Sequence, residues 1–336
     1  MKSNSSPQSN LSLQFGLSIL EASSVGRVAY TRLKEGGEGT VQGVFDSAIN
    51  ILFADGLVSL VPEVVQRGPL NITLRLPVRP PRMSSLGVRA GDKVRAHDFV
   101  LELGDRHLVS FGSARIYSPK HKFSLPMLAN DEIEANLEVV RKTALLFGNM
   151  AGLGELLALM SPRAARATVK SLNIFASFAL GRIVQLERAF SSGKKSALKD
   201  AICELIGLGP GLTPSSDDML AGLVLVCVLY GKNGRCAHRA SWLLAQAIAE
   251  EARGRTTILS EEFLRLAASG RGNEPTIRLC AALLTGGRDS VERETRSVLA
   301  IGETSGTDTV LGIVLGVMLC TGRHSGLTKR GNPYDN

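Results

Sequence analysis

The sequence predicts an α+β fold in two segregated parts, an N-terminal β-rich domain (a sandwich or a barrel) followed by an all-helical domain. Two observations support this class: short alternating apolar runs between turn residues come first, and apolar residues at helical spacing follow. The 336 residues are 44% apolar, which is enough to bury a substantial core. We expect a disordered tail at 1–13, the β-rich domain at 14–122, the helical domain at 130–322 and a polar tail at 323–336.

The β-rich domain is indicated by pairs of apolar runs that glycine-containing turns separate. One pair flanks Asp55-Gly56 and the other flanks Gly104-Asp105, and both have the pattern of a β-hairpin. Further strands are predicted at 25–30 and 71–76.

The helical domain is indicated by apolar residues that recur every three or four positions, and a glycine-rich break at 148–154 interrupts the pattern. The predicted helices cover residues 132–147, 163–190, 197–206, 219–230, 237–253, 260–269, 274–284, 290–299 and 309–320. The last residues, 330–336, resemble a stretch of insertion-element transposases, and the alternative is an ordinary polar tail.

The most informative stretch of the sequence is 205–222. Gly207, Gly209 and Gly211 alternate, and because glycine enters the positive-φ region freely they predict a sharply turned loop with exposed amide groups. Residues that favour helix N-caps follow, before an apolar run: Thr213, Ser215, Ser216 and Asp217. The loop therefore leads into a helix N-terminus, where unpaired N–H groups and the helix dipole suit an anion.

This glycine loop differs from two common phosphate-binding motifs. No lysine follows the glycines, as a Walker A loop requires, and the spacing is not that of a dinucleotide-binding fold. The adjacent Asp217 and Asp218 would also repel a bare phosphate unless a cation or a donor lies between. A well-capped buried helix with a glycine-rich entry explains the same residues and stays an alternative.

A second segment repeats the pattern. Residues 302–315 align without a gap on 212–225, so that Ser305 matches Ser215 and Asp308 matches Asp218. We expect a pseudo-symmetric pair of loop-to-helix elements that face one cleft. Chance similarity between two apolar helices is the alternative.

The signature at 205–222 resembles that of a bacterial family that long carried only a carboxylase label. One member is a subunit of the three-component oxamate carbamoyltransferase of anaerobic allantoin breakdown. Other segments support the resemblance, at 48–56, 68–72, 255–260 and 304–308. Ser216 and Thr307 depart from the family pattern, which has glycine and an aromatic residue there. The resemblance implies a subunit of a carbamoyltransferase-like complex acting on oxamate and carbamoyl phosphate, or a related small carboxylated amide, in purine-nitrogen catabolism.

Three carboxylates are the predicted catalytic residues: Asp217, Asp218 and Asp308. Together they would hold a cation such as Mg²⁺, or accept the N–H groups of an amide substrate. Alternatively, Asp217 caps the helix and Asp218 pairs with a buried arginine. The predicted substrate-binding residues supply amides, hydroxyls and a guanidinium: Gly209, Gly211, Thr213, Ser215, Ser216, Arg255, Thr256, Thr257, Ser305 and Gly306. A basic last helical turn explains Arg255 equally well.

The composition argues against several classes of protein and of binding site. The five cysteines form no Cys-x-x-Cys pair and the histidines have no ligand spacing, so we expect reduced thiols in the cytoplasm and no dedicated transition-metal site. The net charge of +8 is dispersed, which argues against nucleic acid. The first residues lack the apolar core of a signal peptide, and the apolar helices fall short of the roughly 20 residues that span a membrane. The expected partners are a small anionic substrate and other subunits of a hetero-complex.

Two other functions stay open at this point. One is a non-catalytic assembly subunit that docks partners through its apolar helices. The other is a stand-alone enzyme on a small carboxylated metabolite. An exposed apolar patch beside an internally bonded glycine loop would favour the assembly subunit.

Overall fold

The computed structural model describes residues 18–76, 81–118, 128–160, 172–232 and 238–327. It divides the chain into two compact units, Met1–Pro119 and Lys120–Asn336. The first unit is β-rich and the second is helical, which confirms the predicted α+β class. The predicted disordered tail at 1–13 and the transposase-like residues 330–336 lie outside the described residues.

The first unit is a closed β-barrel. Its strands are β1 Ser18–Gly26, β2 Gly37–Val44, β3 Ile49–Phe53, β4 Gly56–Pro62, β5 Asn71–Leu74, β6 Lys93–His97, β7 Val100–Leu103, β8 His107–Ser110 and β9 Arg115–Tyr117. They pair in the order β5-β4-β3-β2-β6-β7-β8-β1, and β1 pairs again with β5, so that eight of these strands form a barrel. Both predicted hairpins are present, as β3 with β4 and β7 with β8.

Strand β1 closes the barrel because its two halves have different partners. Its first residues pair in parallel with β8, and Ala22 to Val25 pair antiparallel with β5. The register shifts between Ala22 and Ser24, and such a bulge bends the strand. The last residues of β1 pair with β9.

The predicted strand at 25–30 is wrong beyond Gly26, where helix α1 (Arg27–Leu33) begins. At this point Gly26 allows the chain at Pro69 to approach closely, because a Cβ there would lie 2.2 Å from the carbonyl oxygen of Pro69, and that oxygen accepts a hydrogen bond from Ala29 N in the first turn of α1. Ala29 and Leu33, four residues apart, are both buried against the barrel core. Packing of that face overrides the strand-like run of β-branched and aromatic residues.

The second unit consists of α-helices in its described part. They are α2 Asn130–Phe147, α3 Glu155–Leu159, α4 Ile174–Ser192, α5 Lys195–Cys203, α6 Ser215–Lys232, α7 His238–Glu251, α8 Ile258–Ala268, α9 Glu274–Thr285, α10 Arg288–Leu299 and α11 Ser305–Cys320. Each predicted helix has a counterpart, with shifted ends, although 163–171 of the longest one lies outside the described residues.

Helices α6 and α11 are buried almost throughout and form the centre of this unit. Glycines allow their backbones to touch: a Cβ on Gly222 would lie 2.3 Å from Thr309 O, and one on Gly312 would lie 1.9 Å from Met219 O. Contacts advance along both helices in the same direction, since Gly316 faces Leu223. The two helices therefore run parallel, with their N-termini side by side.

The helical unit continues past residue 322, where the polar tail was predicted to begin. Ser325 and Leu327 are buried. Glu187, itself buried on α4, accepts a hydrogen bond of 2.9 Å from the Ser325 hydroxyl and one of 3.3 Å from its amide. Residues 323–327 thus belong to the packed unit.

Candidate functional site

The glycine loop has the conformation that its sequence predicts. The φ angles of Gly207, Gly209 and Gly211 are +81°, +124° and +89°, a region in which side chains are strained. The amides of Gly209, Gly211 and Leu212 have no hydrogen-bond partner within the described part of the chain. They are therefore available to an anion.

Ser216 and Asp217 hold this loop in place from the first turn of α6. The buried Ser216 hydroxyl lies 3.0 Å from Leu208 N and also contacts the Leu205 carbonyl. The carboxylate of Asp217 accepts hydrogen bonds from Gly207 N at 2.8 Å, from the Ser260 hydroxyl at 2.7 Å and from the Thr256 hydroxyl. Both side chains have internal partners, so they give the loop its shape.

The segment before α8 is fastened to the same loop. Thr257 caps α8 by accepting from Ser260 N, and its hydroxyl donates to the carbonyl of Leu212. Together with Thr256, it links the glycine loop to a second helix N-terminus. The predicted grouping of 255–257 with the signature is thus present in space.

Asp218 and Asp308 differ from Asp217 in that each has an unsatisfied oxygen. Both residues are buried, at 9% and 0% exposure. The Oδ2 atoms of both have no hydrogen-bond partner within the described ranges. A buried carboxylate oxygen without a donor is costly, which marks these two atoms as points where a ligand would be stabilised.

Burial raises the pKa of both carboxyl groups. The pKa of Asp218 lies well above its usual range because of desolvation, with the Asp308 charge adding to the effect and the Ser305 and Thr213 hydroxyls opposing it. Burial raises the pKa of Asp308 to about 6, against hydrogen bonds from Leu153 N, Ser215 and Thr304. Asp308 therefore gains or loses a proton close to neutral pH.

The two helix N-termini exchange contacts in a reciprocal way. Ser305 on α11 lies close enough to Asp218 on α6 to oppose the rise in its pKa, and Ser215 on α6 does the same for Asp308 on α11. Gly222 and Gly312 make the matching backbone contacts one turn further on. The aligned segments 212–225 and 302–315 are thus related by an approximate two-fold axis between the helices.

The loop at 148–154, which the sequence analysis treats only as a break, also belongs to this site. Leu153 N donates to Asp308 Oδ1 at 2.7 Å, and Asn149 N donates to Thr307 Oγ1 at 3.0 Å. A Cβ on Gly152 would lie 2.4 Å from Asp308 Oδ2, so only glycine fits against that oxygen. The signal in the sequence was its three glycines at 148, 152 and 154.

Comparison with known families agrees with this organisation. A family model described as oxamate carbamoyltransferase subunit AllH matches residues 205–317, from the glycine loop into α11. A second model, the AllH family N-terminal domain, matches residues 21–116, which form the barrel. The chain belongs to the AllH family. No solved structure matches it significantly.

Not every predicted residue of this AllH family chain reaches the unsatisfied carboxylates. The guanidinium of Arg255 is 55% exposed and forms an ion pair with Glu251, at 3.5 Å. Gly306 packs against α10, where a Cβ would lie 2.2 Å from Val298 O. Thr213 does lie at the site, with its hydroxyl 3.0 Å from that of Ser305.

No metal site is evident in the described part of this AllH family member, where no group of three His, Cys, Asp or Glu side chains is arranged to hold an ion. A groove of about 740 Å³ lies between α4 and α5, and none of the predicted site residues lines it. None of the described helices is long and apolar enough to cross a membrane.

Proposed function

We propose that this chain is a subunit of an oxamate carbamoyltransferase complex and that it carries a substrate site at the paired N-termini of α6 and α11. Family membership supports the complex. The observation that carries the site is the pair of buried, unpartnered oxygens, Asp218 Oδ2 and Asp308 Oδ2.

The chemistry of these groups selects the ligand. Burial favours the protonated form of both carboxyl groups. A ligand whose N–H groups donate to the free oxygens would favour the ionised form, which only accepts hydrogen bonds. The free amides of the glycine loop, ahead of the N-terminus of α6, favour an anion. Oxamate and carbamoyl phosphate both combine a carbamoyl NH₂ with an anionic group, and each therefore supplies both requirements.

In the proposed reaction the amide nitrogen of oxamate attacks the carbamoyl carbon of carbamoyl phosphate. A new N–C bond forms, the C–O bond to phosphate breaks, and the nitrogen's proton passes to Asp308 and then to the departing phosphate. The products are N-carbamoyl oxamate and inorganic phosphate. Asp308 suits this role because burial brings its pKa close to neutral pH. Such a reaction fits the breakdown of purine nitrogen.

The remaining side chains position the reactants in this proposal. Asp217 holds the glycine loop rather than touching substrate, and its partner Thr256 shares that role. Arg255 would leave Glu251 to neutralise a substrate anion. Because Gly152 covers Asp308 Oδ2, binding of substrate at that oxygen would require the loop at 148–154 to move.

The test is transfer activity in the assembled complex. The tagged chain is purified from its own host with its partners, and formation of N-carbamoyl oxamate is followed. Asp218→Asn and Asp308→Asn should each lower kcat/KM by about 10²- to 10⁴-fold, the usual contribution of a proton-transferring or positioning group. Asp200→Asn, at an exposed position on α5, is the matched control. Full activity of both site variants in an intact complex would refute the proposal.

A non-catalytic assembly subunit is the second candidate, and two observations favour it. The glycine loop is bonded internally through Ser216 and Asp217. Large apolar side chains are exposed on the helical unit, among them Leu146 at 75% and Ile174 at 62%. Under this alternative, Leu146→Asp would release the partners during purification while Asp308→Asn would change neither assembly nor activity. Val64→Asp, at a residue of the barrel unit that is 69% exposed, is the control.

A further inference from the structure

The two central helices carry a pair of cysteines towards their C-terminal ends. Cys227 lies on α6, and Cys320 is the last residue of α11. Their sulfur atoms are 3.7 Å apart, and the Cys227 thiol also lies 3.8 Å from the carbonyl oxygen of Gly316. The two thiols are therefore in direct contact across the interface between the helices.

The thiol pair continues the line of contacts that holds α6 and α11 together. Three contacts follow one another at intervals of four residues, or about one helical turn: Gly312 with Met219, Gly316 with Leu223, and Cys320 with Cys227. A Cβ on Gly316 would lie only 2.8 Å from Leu223 O, so the backbones are still close one turn before the thiols. An interhelical disulfide needs this closeness, because its Cα atoms must lie within about 7 Å of each other.

A bond between the two sulfurs would require only a small movement. An S–S bond is about 2.05 Å long, so the atoms would approach by about 1.7 Å from their separation of 3.7 Å. Because α11 ends at Cys320, this approach disturbs no following turn of the helix. Cys227 is fully buried, whereas Cys320 is half-buried. A small oxidant would therefore reach Cys320 first.

The other two cysteines that the structure describes have different surroundings. Cys203 lies 3.1 Å from a carboxylate oxygen of Glu251, and both burial and that charge raise the pKa of its thiol. Burial raises the pKa of Cys280 to about 12. Within the described residues neither contacts a second sulfur. These two thiols therefore serve as internal comparisons for the pair.

We propose that hydrogen peroxide joins Cys227 and Cys320 in a disulfide, which ties α6 to α11 and makes the stability of the helical unit depend on redox conditions. The reduced pair is the resting state. A crosslink between distant positions stabilises a fold mainly by restricting the unfolded chain. The bond would form far along the helices from Asp218 and Asp308, which lie in their first turns.

The oxidation proceeds in two steps. The Cys320 thiolate attacks one oxygen of hydrogen peroxide, the O–O bond breaks, and Cys320 becomes a sulfenic acid as water leaves. The sulfur of Cys227 then attacks Cys320 Sγ and the S–O bond breaks. The departing hydroxide takes the proton of the Cys227 thiol and leaves as a second water. Two thiols are thus oxidised to one disulfide, and one peroxide is reduced to two waters.

The test uses the full chain alone and needs neither partners nor substrate. Reduced protein is treated with hydrogen peroxide under native conditions, the remaining thiols are alkylated, and the cysteine peptides are mapped by mass spectrometry. We expect a crosslink between Cys227 and Cys320 that dithiothreitol removes. The Tm of the crosslinked chain should lie at least about 5 °C above that of the reduced chain, because the bond closes a long loop.

Variants at the cysteines assign the effect to this pair. Cys227→Ala and Cys320→Ala should each abolish both the crosslink and the rise in Tm. Since Cys320 is half-buried, its variant keeps the test valid if Cys227→Ala folds poorly. Cys203→Ala and Cys236→Ala retain the pair and are the matched controls. Both should still form the crosslink and gain the same increase in Tm.

Two results would overturn the proposal. One is a crosslink that maps to another pair of cysteines or forms only in urea. The other is oxidation of Cys320 to a sulfinic acid while Cys227 remains an unmodified thiol. Either result would leave the proposed function untouched, because the crosslink involves neither Asp218 nor Asp308.

Discussion

At the scale of single residues, the adjacent aspartates of the signature have opposite roles. Asp217 has donors for both oxygens, from Gly207, Thr256 and Ser260. Asp218 has one oxygen without a partner, and so has its counterpart Asp308. Burying such groups lowers the free energy of unfolding. Functional sites commonly carry a cost of this kind.

Replacing Asp308 should stabilise the protein in a pH-dependent way. Its pKa rises from 3.8 to about 6 on folding, so the folded state holds the proton more tightly than the unfolded state. Its favourable contribution is present below pH 3.8 and is lost as the pH rises towards 6, a difference of about 3 kcal/mol. Asp308→Asn should therefore raise the free energy of unfolding above pH 6 by about 2–3 kcal/mol, with a smaller effect near pH 4.

Urea unfolding followed by tryptophan fluorescence measures this effect, because the single tryptophan, Trp242, lies in the helical unit. Asp217→Asn is the matched variant and should destabilise that unit, since an amide NH₂ would face the donors that Asp217 accepts from. Equal stability of Asp308→Asn and the unaltered chain at pH 7.5 would contradict the assignment of a desolvated carboxylate.

At the scale of elements, the parallel pair α6 and α11 sets the geometry of the site. Close backbone contact at Gly222 and Gly312 keeps the first turns of both helices within reach of each other's serine and aspartate. Larger residues at these positions would separate the helices and move each serine away from the aspartate of the other helix. The same contact places two helix dipoles side by side, with their positive ends at the two aspartates.

Gly312→Ala should destabilise the helical unit by about 2–4 kcal/mol, because overpacking against a backbone cannot be relieved by a rotamer change. The new Cβ would lie 1.9 Å from Met219 O. Gly181→Ala on α4 is the control, since nothing lies within 4 Å of that Cβ. It should be stabilising by up to about 1 kcal/mol. Thermal unfolding of both variants measures the two changes in stability. Equal effects of the two substitutions would argue against close contact between α6 and α11.

At the scale of the whole molecule, the end of the described chain completes the helical unit. Ser325 is the hydrogen-bonding partner of the buried Glu187, and burial raises the pKa of that carboxyl group. Leu327 belongs to the same apolar core as α6 and α11. The segment at 323–327 is therefore a structural part of the unit.

A chain truncated after residue 322 should lose about 2–5 kcal/mol of stability, because Glu187 would remain buried without its partners. A chain truncated after residue 327 keeps Ser325 and Leu327 and should retain its Tm. Differential scanning calorimetry of both chains checks the comparison. If the chain truncated after residue 327 lost as much stability as the one truncated after residue 322, the effect would come from residues 328–336 and the prediction for residues 323–327 would be wrong.

The sequence by itself determined the features that depend on short-range properties. The positive φ angles at Gly207, Gly209 and Gly211 follow from glycine alternation, and both β-hairpins follow from their turn residues. The match of Asp218 with Asp308 was visible because two helices carried the same spacing of polar residues. Helical and alternating apolar periods likewise separated the two halves of the chain.

Only the tertiary structure decided that Asp218 and Asp308 each keep one oxygen without a donor, and that Gly152 covers the free oxygen of Asp308. Donors to Asp217 Oδ2 and to Asp308 Oδ1 come from residues 43 and 155 positions away in the chain, and no local pattern records such contacts. The same holds for helix α1, where burial of Ala29 and Leu33 outweighs local strand preference. Local conformation is encoded within a few residues, whereas hydrogen-bond satisfaction is a property of how distant segments meet.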